Sequence, residues 1–288
     1  MSLTAVELLA EGIRQLKAAG IDDAEVSARL LLQHTLNKTP SELQMTGAET
    51  ISNSKIMIFK KLIEKRCTHF PLQYLVGEVE FFNVKLKVNR NVLIPRPETE
   101  ILVENIIDIL ITKKSPKLLE IGVGSGNIAV AIAANIDDIR ITAVDISGDA
   151  LCIARENADL NCVADKIDFI CGDCLQDEFW KTVGKYDAIV SNPPYVADNE
   201  WESLQPEVRK FEPKAALLSG DDPLKYFKTI TRHSKSKLNH NGAICFEVGA
   251  GKAPDVATVL KANHNNIEIT IIRDLAGLER VVIGKLHQ

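Results

Sequence analysis

The run VSNPPYV, residues 190–196, ends an apolar stretch on an amide, two prolines and a tyrosine. Tyr186, Ala188, Ile189 and Val190 read as a short buried strand, which Pro193 and Pro194 stop because proline has no backbone N–H for a ladder. Losing those donors while keeping every carbonyl leaves Asn192, Pro193 and Pro194 rich in acceptors: the Asn192 side-chain oxygen and nearby backbone carbonyls. Such a notch suits a partner carrying an NH2 group, and the ring of Tyr195 can stack on a planar one. An ordinary proline-terminated strand would look the same in isolation, so the other strand ends must be weighed with it.

They are informative. LLEIGVGSGNIAVAIA sets Gly122, Gly124 and Gly126 between an apolar run and a helix starting near Asn127. Glycine lets the backbone approach a ligand closely, and open parallel sheets bind ligands at the carboxyl ends of their strands. About twenty residues on, Asp145 closes ITAVDIS, where a carboxylate can accept from two ribose hydroxyls; a helix cap is the competing role. Asp173, in ICGDC, ends the third strand and can accept from an adenine amino group, or simply cap and solvate. Glu120 lies close enough to the glycines to reach a cationic group. Three successive strand ends thus carry acids and a fourth carries the acceptor notch. The implied ligand has a ribose, an adenine and a cationic end, which describes S-adenosylmethionine better than a phosphate-rich nucleotide; no Walker lysine follows the glycines. The glycine spacing also departs from the dinucleotide G-x-G-x-x-G pattern and disfavours an oxidoreductase.

These residues need a frame to hold them. Thr4 with Glu7 and Asp22 with Glu25 look like helix-capping pairs, each followed by apolar residues at helical spacing: Val6, Leu9, Ile13 and Leu16, then Val26, Leu30 and Leu31. A third helix is expected near Ser41 and a fourth from about Ser52 to Cys67, so residues 1–75 form a helical unit. EVEFFNVKLKVN alternates as a hairpin turning near Asn83, giving a linker over 76–91. From residue 92 to 288, strand-like runs (KLLEIGV, RITAVDI, KIDFICG, YDAIVSN, GAICFEV) alternate with helical patterns. That order predicts an α/β fold with a mostly parallel sheet, and the short link at Gly277 makes the last strand antiparallel.

Composition narrows the function. The 288 residues carry a formal charge of −5, with 45% hydrophobic and 25% charged residues, the profile of a soluble globular protein without a general basic footprint for nucleic acid. No run approaches the eighteen or so apolar residues of a membrane span, and the first residues lack a signal-peptide pattern, so a cytoplasmic protein is expected. Cys171 and Cys174 form a lone C-x-x-C pair without a histidine cluster, which favours packing of small thiols over a metal site.

Together, EIGVGSG, Asp145 and NPPY resemble the Rossmann-like S-adenosylmethionine methyltransferases that modify planar NH2 nitrogens. PLQYLVGEVEFFNVKLKVNRNVLIPRPETE, with FEP at 211–213 and the final RVVIGK, resembles the release-factor glutamine methyltransferase family, the HemK/PrmC type, across essentially the whole chain. The resemblance implies methylation of the glutamine side-chain amide in the Gly-Gly-Gln loop of class 1 peptide release factors. It implies that Gly122, Val123, Gly124, Ser125, Gly126 and Asp145 bind cofactor, with Asp173 and Cys174 beside the adenine and Asn192 bordering it. Asn192, Pro193, Pro194 and Tyr195 would hold the glutamine amide, the helical unit would dock the release factor, and 92–288 would be the methyltransferase domain. Val123 stands where many members have threonine, and Pro223 replaces a common glycine. An adenine-amino methyltransferase acting on DNA or RNA is the nearest alternative, since its target nitrogen poses the same problem, and a noncatalytic S-adenosylmethionine-binding adaptor is a second.

Overall fold

The computed structural model describes residues 3–45 and 49–287, which divide into two compact units. The first runs to Glu78 and takes in Gln205–Phe211; the second comprises Val79–Leu204 and the chain from Glu212 onward.

The first unit holds α1 (Ala5–Ala18), α2 (Ala24–Leu36), α3 (Pro40–Met45), α4 (Asn53–Arg66) and α5 (Leu72–Val76), with the short antiparallel pair β1 (Leu3–Thr4) and β2 (Thr50–Ile51). Thr4 and Glu7 form a reciprocal capping box: the Glu7 amide donates to Thr4 Oγ1 at 3.3 Å, and the Thr4 amide donates to the Glu7 carboxylate at 2.9 Å. The second expected cap is displaced. Asp23, not Asp22, precedes α2, and its carboxylate accepts from Ser27 Oγ at 3.0 Å and Arg66 Nη2 at 2.9 Å rather than closing a cap. Arg66 explains this, since a guanidinium only 3% exposed needs carboxylate partners, and Glu207 supplies the other at 2.7 Å. The core is built from Leu8, Leu16, Leu31, Leu32, Phe59 and Ile63, each such burial contributing about 1.5–3 kcal/mol. Val6, Val26 and Leu30, expected on the buried stripes, are instead exposed.

In the second unit, β3 (Glu78–Phe81) and β4 (Val84–Lys87) form a hairpin whose turn residues Phe82 and Asn83 both take positive φ. Phe81, Val84 and Leu86 join the core on one face of the main sheet. After α6 (Thr99–Leu110) come β5 (Lys117–Ile121), α7 (Asn127–Asn135), β6 (Arg140–Asp145), α8 (Gly148–Leu160), β7 (Ile167–Cys171), α9 (Asp177–Thr182) and β8 (Tyr186–Ser191). A parallel pair, β9 (Val196–Ala197) and β10 (Leu218–Gly220), flanks the segment containing α10 (Pro206–Phe211). The chain ends with α11 (Lys225–Lys237), β11 (Leu238–Glu247), α12 (Ala253–Asn263), β12 (Ile267–Arg273) and β13 (Glu279–Leu286).

The sheet has seven strands in the order β12-β13-β11-β8-β5-β6-β7, and β13 alone runs antiparallel to its neighbours. Both faces are covered. Leu118, Ala188, Val190 and Cys245 pack one way, and Leu119, Ile189, Ile244 and Phe246 the other, which is why these strands read as unbroken apolar runs. Strand order reverses between β5 and β8, the place where sheets of this type open a ligand crevice. Pro223 sits in a turn whose bonds come from the Leu224 and Lys225 amides to Asp222, so the turn needs no N–H at 223. No described helix is long and apolar enough to cross a membrane.

Candidate active site

A cavity opens at the carboxyl ends of β5, β6, β7 and β8, lined by Gly122 to Ser125, Asp145 to Ser147, Gly172 to Cys174, and Ser191 to Pro194. The chain turns there because each strand stops on a residue that cannot or need not continue the ladder: glycine at 122 and 172, a carboxylate at 145, proline at 193.

The glycine loop is held by its own amides. Gly122 and Val123 both donate to Val144 O at 2.8 and 3.0 Å, Gly126 donates to Val123 O at 2.8 Å, and Gly124 donates to Asp145 Oδ2 at 2.9 Å. Four loop N–H groups, those of Gly122, Val123, Gly124 and Gly126, are thereby occupied and are not free to cradle a phosphate. Gly126 does not line the cavity. At φ +82° it caps α7, and a Cβ there would sit 3.2 Å from Ala154, so it sets close packing of α7 against α8.

Asp145 accepts from Gly124 N through one oxygen and from Ser147 N, at 2.9 Å, through the other. Ser147, not Asp145, caps α8. Each Asp145 oxygen keeps acceptor capacity, which matches a pair of vicinal hydroxyls. Burial raises its pKa and the backbone donors partly offset this. Asp173 Oδ1 accepts from Leu175 N at 2.9 Å, orienting the carboxyl at the cavity wall. Beside it the Cys174 thiol is pushed up to about 12, chiefly by burial, so it packs as a small apolar group and is no nucleophile. Cys171 is exposed, and among the described residues no cluster of three His, Cys, Asp or Glu is placed to hold a metal.

At the notch, Ser191 Oγ donates to Ile121 O at 2.7 Å, tying β8 to β5. Gly122 takes φ +79°, a conformation that favours glycine, and a Cβ there would meet nothing nearer than Asn192 O at 4.0 Å. Register pairs Phe246 with Ser191, which puts Glu247 next to Asn192. Glu247 is buried, with the Thr99 and Asn192 side chains facing its carboxyl. Burial raises its pKa to about 7 although both side chains favour the ionised form.

Two residues expected at the site do not line the cavity. Glu120 is fully buried and absent from the cavity wall, because its strand is covered on both faces and its side chain enters the interior. Neither Glu120 oxygen has a hydrogen bond of good geometry; the Ala129 amide faces the carboxyl without satisfying it, and burial holds the pKa well above 4.5. The Tyr195 ring lies off the cavity and packs on Gly249, where an added Cβ would meet ring atoms at 2.9 Å. Stacking on a planar group in the cavity is therefore not displayed in this conformation.

Other residues that line the wall or fasten it carried no signal in isolation. Tyr226 lines the cavity close to Asp173 and Cys174. Asn157 donates to Ser125 O at 2.8 Å and to Lys87 O at 3.0 Å, fastening the glycine loop to the hairpin. Glu212, of the FEP run, accepts from Ile94 N at 3.1 Å and from Arg96, fixing the wall segment from Asn91 to Arg96. The quoted LIPRP and FEP runs flagged these regions without giving them a job.

Known proteins are similar to this chain. Residues 7–77 match the PrmC N-terminal domain model, and residues 97–208 match the methyltransferase small domain model. The release factor glutamine methyltransferase of Chlorobaculum tepidum is 35% identical over 96% of this chain and 95% of its own length. That of Thermodesulfovibrio yellowstonii is 37% identical over 89% and 90%. Among solved structures, the hMettl16 catalytic domain in complex with the MAT2A 3'UTR hairpin 6 superposes with a TM-score of 0.57 at 16% identity, over 72% of this chain and 77% of that one. The ribosomal protein L11 methylase of Lactobacillus delbrueckii gives 0.50 at 20% identity, over 70% and 86%. At that identity they establish the methyltransferase-type fold alone. The near-full-length sequence matches go further: the chain belongs to the release factor glutamine methyltransferase family.

Proposed function

We propose that the protein transfers a methyl group from S-adenosylmethionine to the side-chain amide nitrogen of the Gly-Gly-Gln glutamine in class 1 peptide chain release factors, in the cytoplasm. The observation that carries this reading is the placement of Asn192 to Pro194 on the same cavity as Asp145 and Asp173. The residues present fit the cofactor. Asp145 offers acceptors for ribose hydroxyls, Asp173 and Cys174 offer a polar edge and an apolar face for adenine, and the occupied loop amides suit a ligand without phosphate.

When bound, S-adenosylmethionine supplies an electrophilic methyl group on a sulfonium. The chain's task is to present the nitrogen to it. An amide nitrogen is a weak nucleophile because its lone pair is delocalised into the carbonyl. Asn192 Oδ1 and the Pro193 carbonyl each accept one amide hydrogen, which orients the nitrogen and raises its electron density. Fixed acceptors of this kind lower a barrier by several kcal/mol because they need no reorganisation during reaction. The nitrogen would gain the methyl as the sulfur–methyl bond breaks, its electron pair staying on a now neutral thioether sulfur, and would release one proton to solvent.

The helical unit carries the docking part of the reading. Val6, Val26, Leu30, Met57 and Ile58 leave apolar side chains on its surface, and remote binding energy of that kind positions a mobile loop for reaction. Methyl-labelled cofactor offered with intact release factor, a short Gly-Gly-Gln peptide, or adenine-containing DNA and RNA tests all of this. Label is expected in the intact factor, weakly in the peptide and not in nucleic acid. Label in nucleic acid alone would replace the reading with adenine methylation, and a peptide as efficient as the intact factor would remove the docking role.

A further inference from the structure

Asn192 can serve the amide only in one of its two orientations. With Oδ1 toward the substrate it accepts a hydrogen; flipped, its own NH2 opposes the substrate NH2, and both the acceptor and the alignment are lost. The two orientations have nearly the same shape, so packing alone cannot choose between them. A hydrogen-bond partner on the far side must choose.

Glu247 is that partner. It ends β11 beside β8, the strand register sets it next to Asn192, the residue is 5% exposed, and the Asn192 and Thr99 side chains face its carboxyl. Its Oε2 has no hydrogen-bond partner. An ionised carboxylate only accepts, and one with unused acceptor capacity in a buried site favours a donor turned toward it. The nitrogen of Asn192 must then face Glu247 and the oxygen must face away from it. Resting on the amide-methylation reading, we infer that Glu247 is a positioning residue that locks the Asn192 side-chain amide with its oxygen toward the substrate nitrogen.

Protonation would undo the lock. A neutral Glu247 becomes a donor whose natural acceptor is Asn192 Oδ1, the atom the substrate needs. The groups facing Glu247 are Glu98 and Thr99 at the start of α6, Asn192 and Tyr195 after β8, and Arg280 on β13. Glu98 favours the neutral form and Arg280 the ionised one, while burial outweighs both and brings the titration to about 7. Activity therefore falls as pH drops through that value.

The test is steady-state kinetics of the full chain with intact release factor, comparing Glu247→Gln, Glu247→Asp and Thr99→Val with the parent. Glu247→Gln, which can donate as well as accept, is expected to lower kcat by roughly tenfold or more, as loss of an orienting partner does, with cofactor KM nearly unchanged. Its pH profile should lose the acidic limb that the parent shows near 7. Glu247→Asp should restore part of kcat. Thr99→Val removes a donor to the carboxylate and should move the limb to higher pH, which keeps the test decisive if Glu247→Gln does not fold. Parental kcat in Glu247→Gln, or an acidic limb retained there or unmoved in Thr99→Val, overturns the inference. Absence of methyl transfer by the parent protein would instead remove the reading beneath it.

Discussion

Asp145 and Glu247 each end a strand of one sheet, and burial raises the pKa of both, yet they are held in opposite ways. Asp145 is fixed by backbone, through the amides of Gly124 and Ser147. Glu247 is faced instead by side chains, those of Thr99 and Asn192. A backbone-held acid is a rigid acceptor and suits the standing task of holding a cofactor. A side-chain-held acid acts through its neighbour, so its effect falls on the step that neighbour performs. The two ends of the site should therefore fail differently when broken.

The largest effect is expected at the notch. Asn192→Ala removes the acceptor that aligns the nitrogen and should lower kcat by about a hundredfold or more, with cofactor affinity little changed. Single-turnover kinetics beside calorimetric titration of S-adenosylmethionine separates the two quantities. Near-parental turnover would remove the notch from the chemistry.

Asp145→Ala should show the reverse pattern. Losing a charged acceptor weakens cofactor binding by about 1.5–3 kcal/mol, read directly by calorimetry, while turnover at saturating cofactor falls less. Asp145→Asn should not rescue, because its NH2 would face the Gly124 or Ser147 amide that now donates to the carboxylate. Unchanged affinity in folded Asp145→Ala would reduce the residue to a turn-former.

The smallest effect concerns Glu120, an acid anchored by neither means. Its folded pKa stands well above 4.5 through burial. The folded chain thus keeps a proton that the unfolded chain releases, so this group's stabilising contribution is full below about pH 4.5 and is lost as pH rises toward the folded value. Glu120→Gln removes the linkage. Its Tm relative to the parent should rise as pH increases above about 4.5, and a difference independent of pH would show that Glu120 ionises without penalty.

The same contrast explains what could be read from the chain. Strand and helix alternation was legible because both faces of the sheet are buried, and the antiparallel β13 followed from the short turn at Gly277. The strand ends at Asp145, Asp173 and Asn192 were legible because apolar runs stop there. Val6, Val26 and Leu30 were misplaced because helical spacing marks an apolar stripe without saying which part finds a neighbour. Asp23 displaced Asp22 because of a buried arginine 43 residues away. Asn157 and Glu212 act across 70 and 118 residues respectively, and Glu247 acts on Asn192 across a strand pairing. Local pattern holds no trace of such partners. Glu120 and Tyr195 sit at legible positions, but whether a side chain faces a cavity or the interior is decided by packing.

The central claim is that the Asn192 notch directs methyl transfer to one amide nitrogen. Fragmentation mass spectrometry of release factor after reaction with S-adenosylmethionine tests it most directly. A single added methyl on the side-chain nitrogen of the Gly-Gly-Gln glutamine, absent from the Asn192→Ala reaction, is the predicted result. A methyl on any other residue, or on that glutamine with Asn192→Ala as efficiently as with the parent, would contradict it.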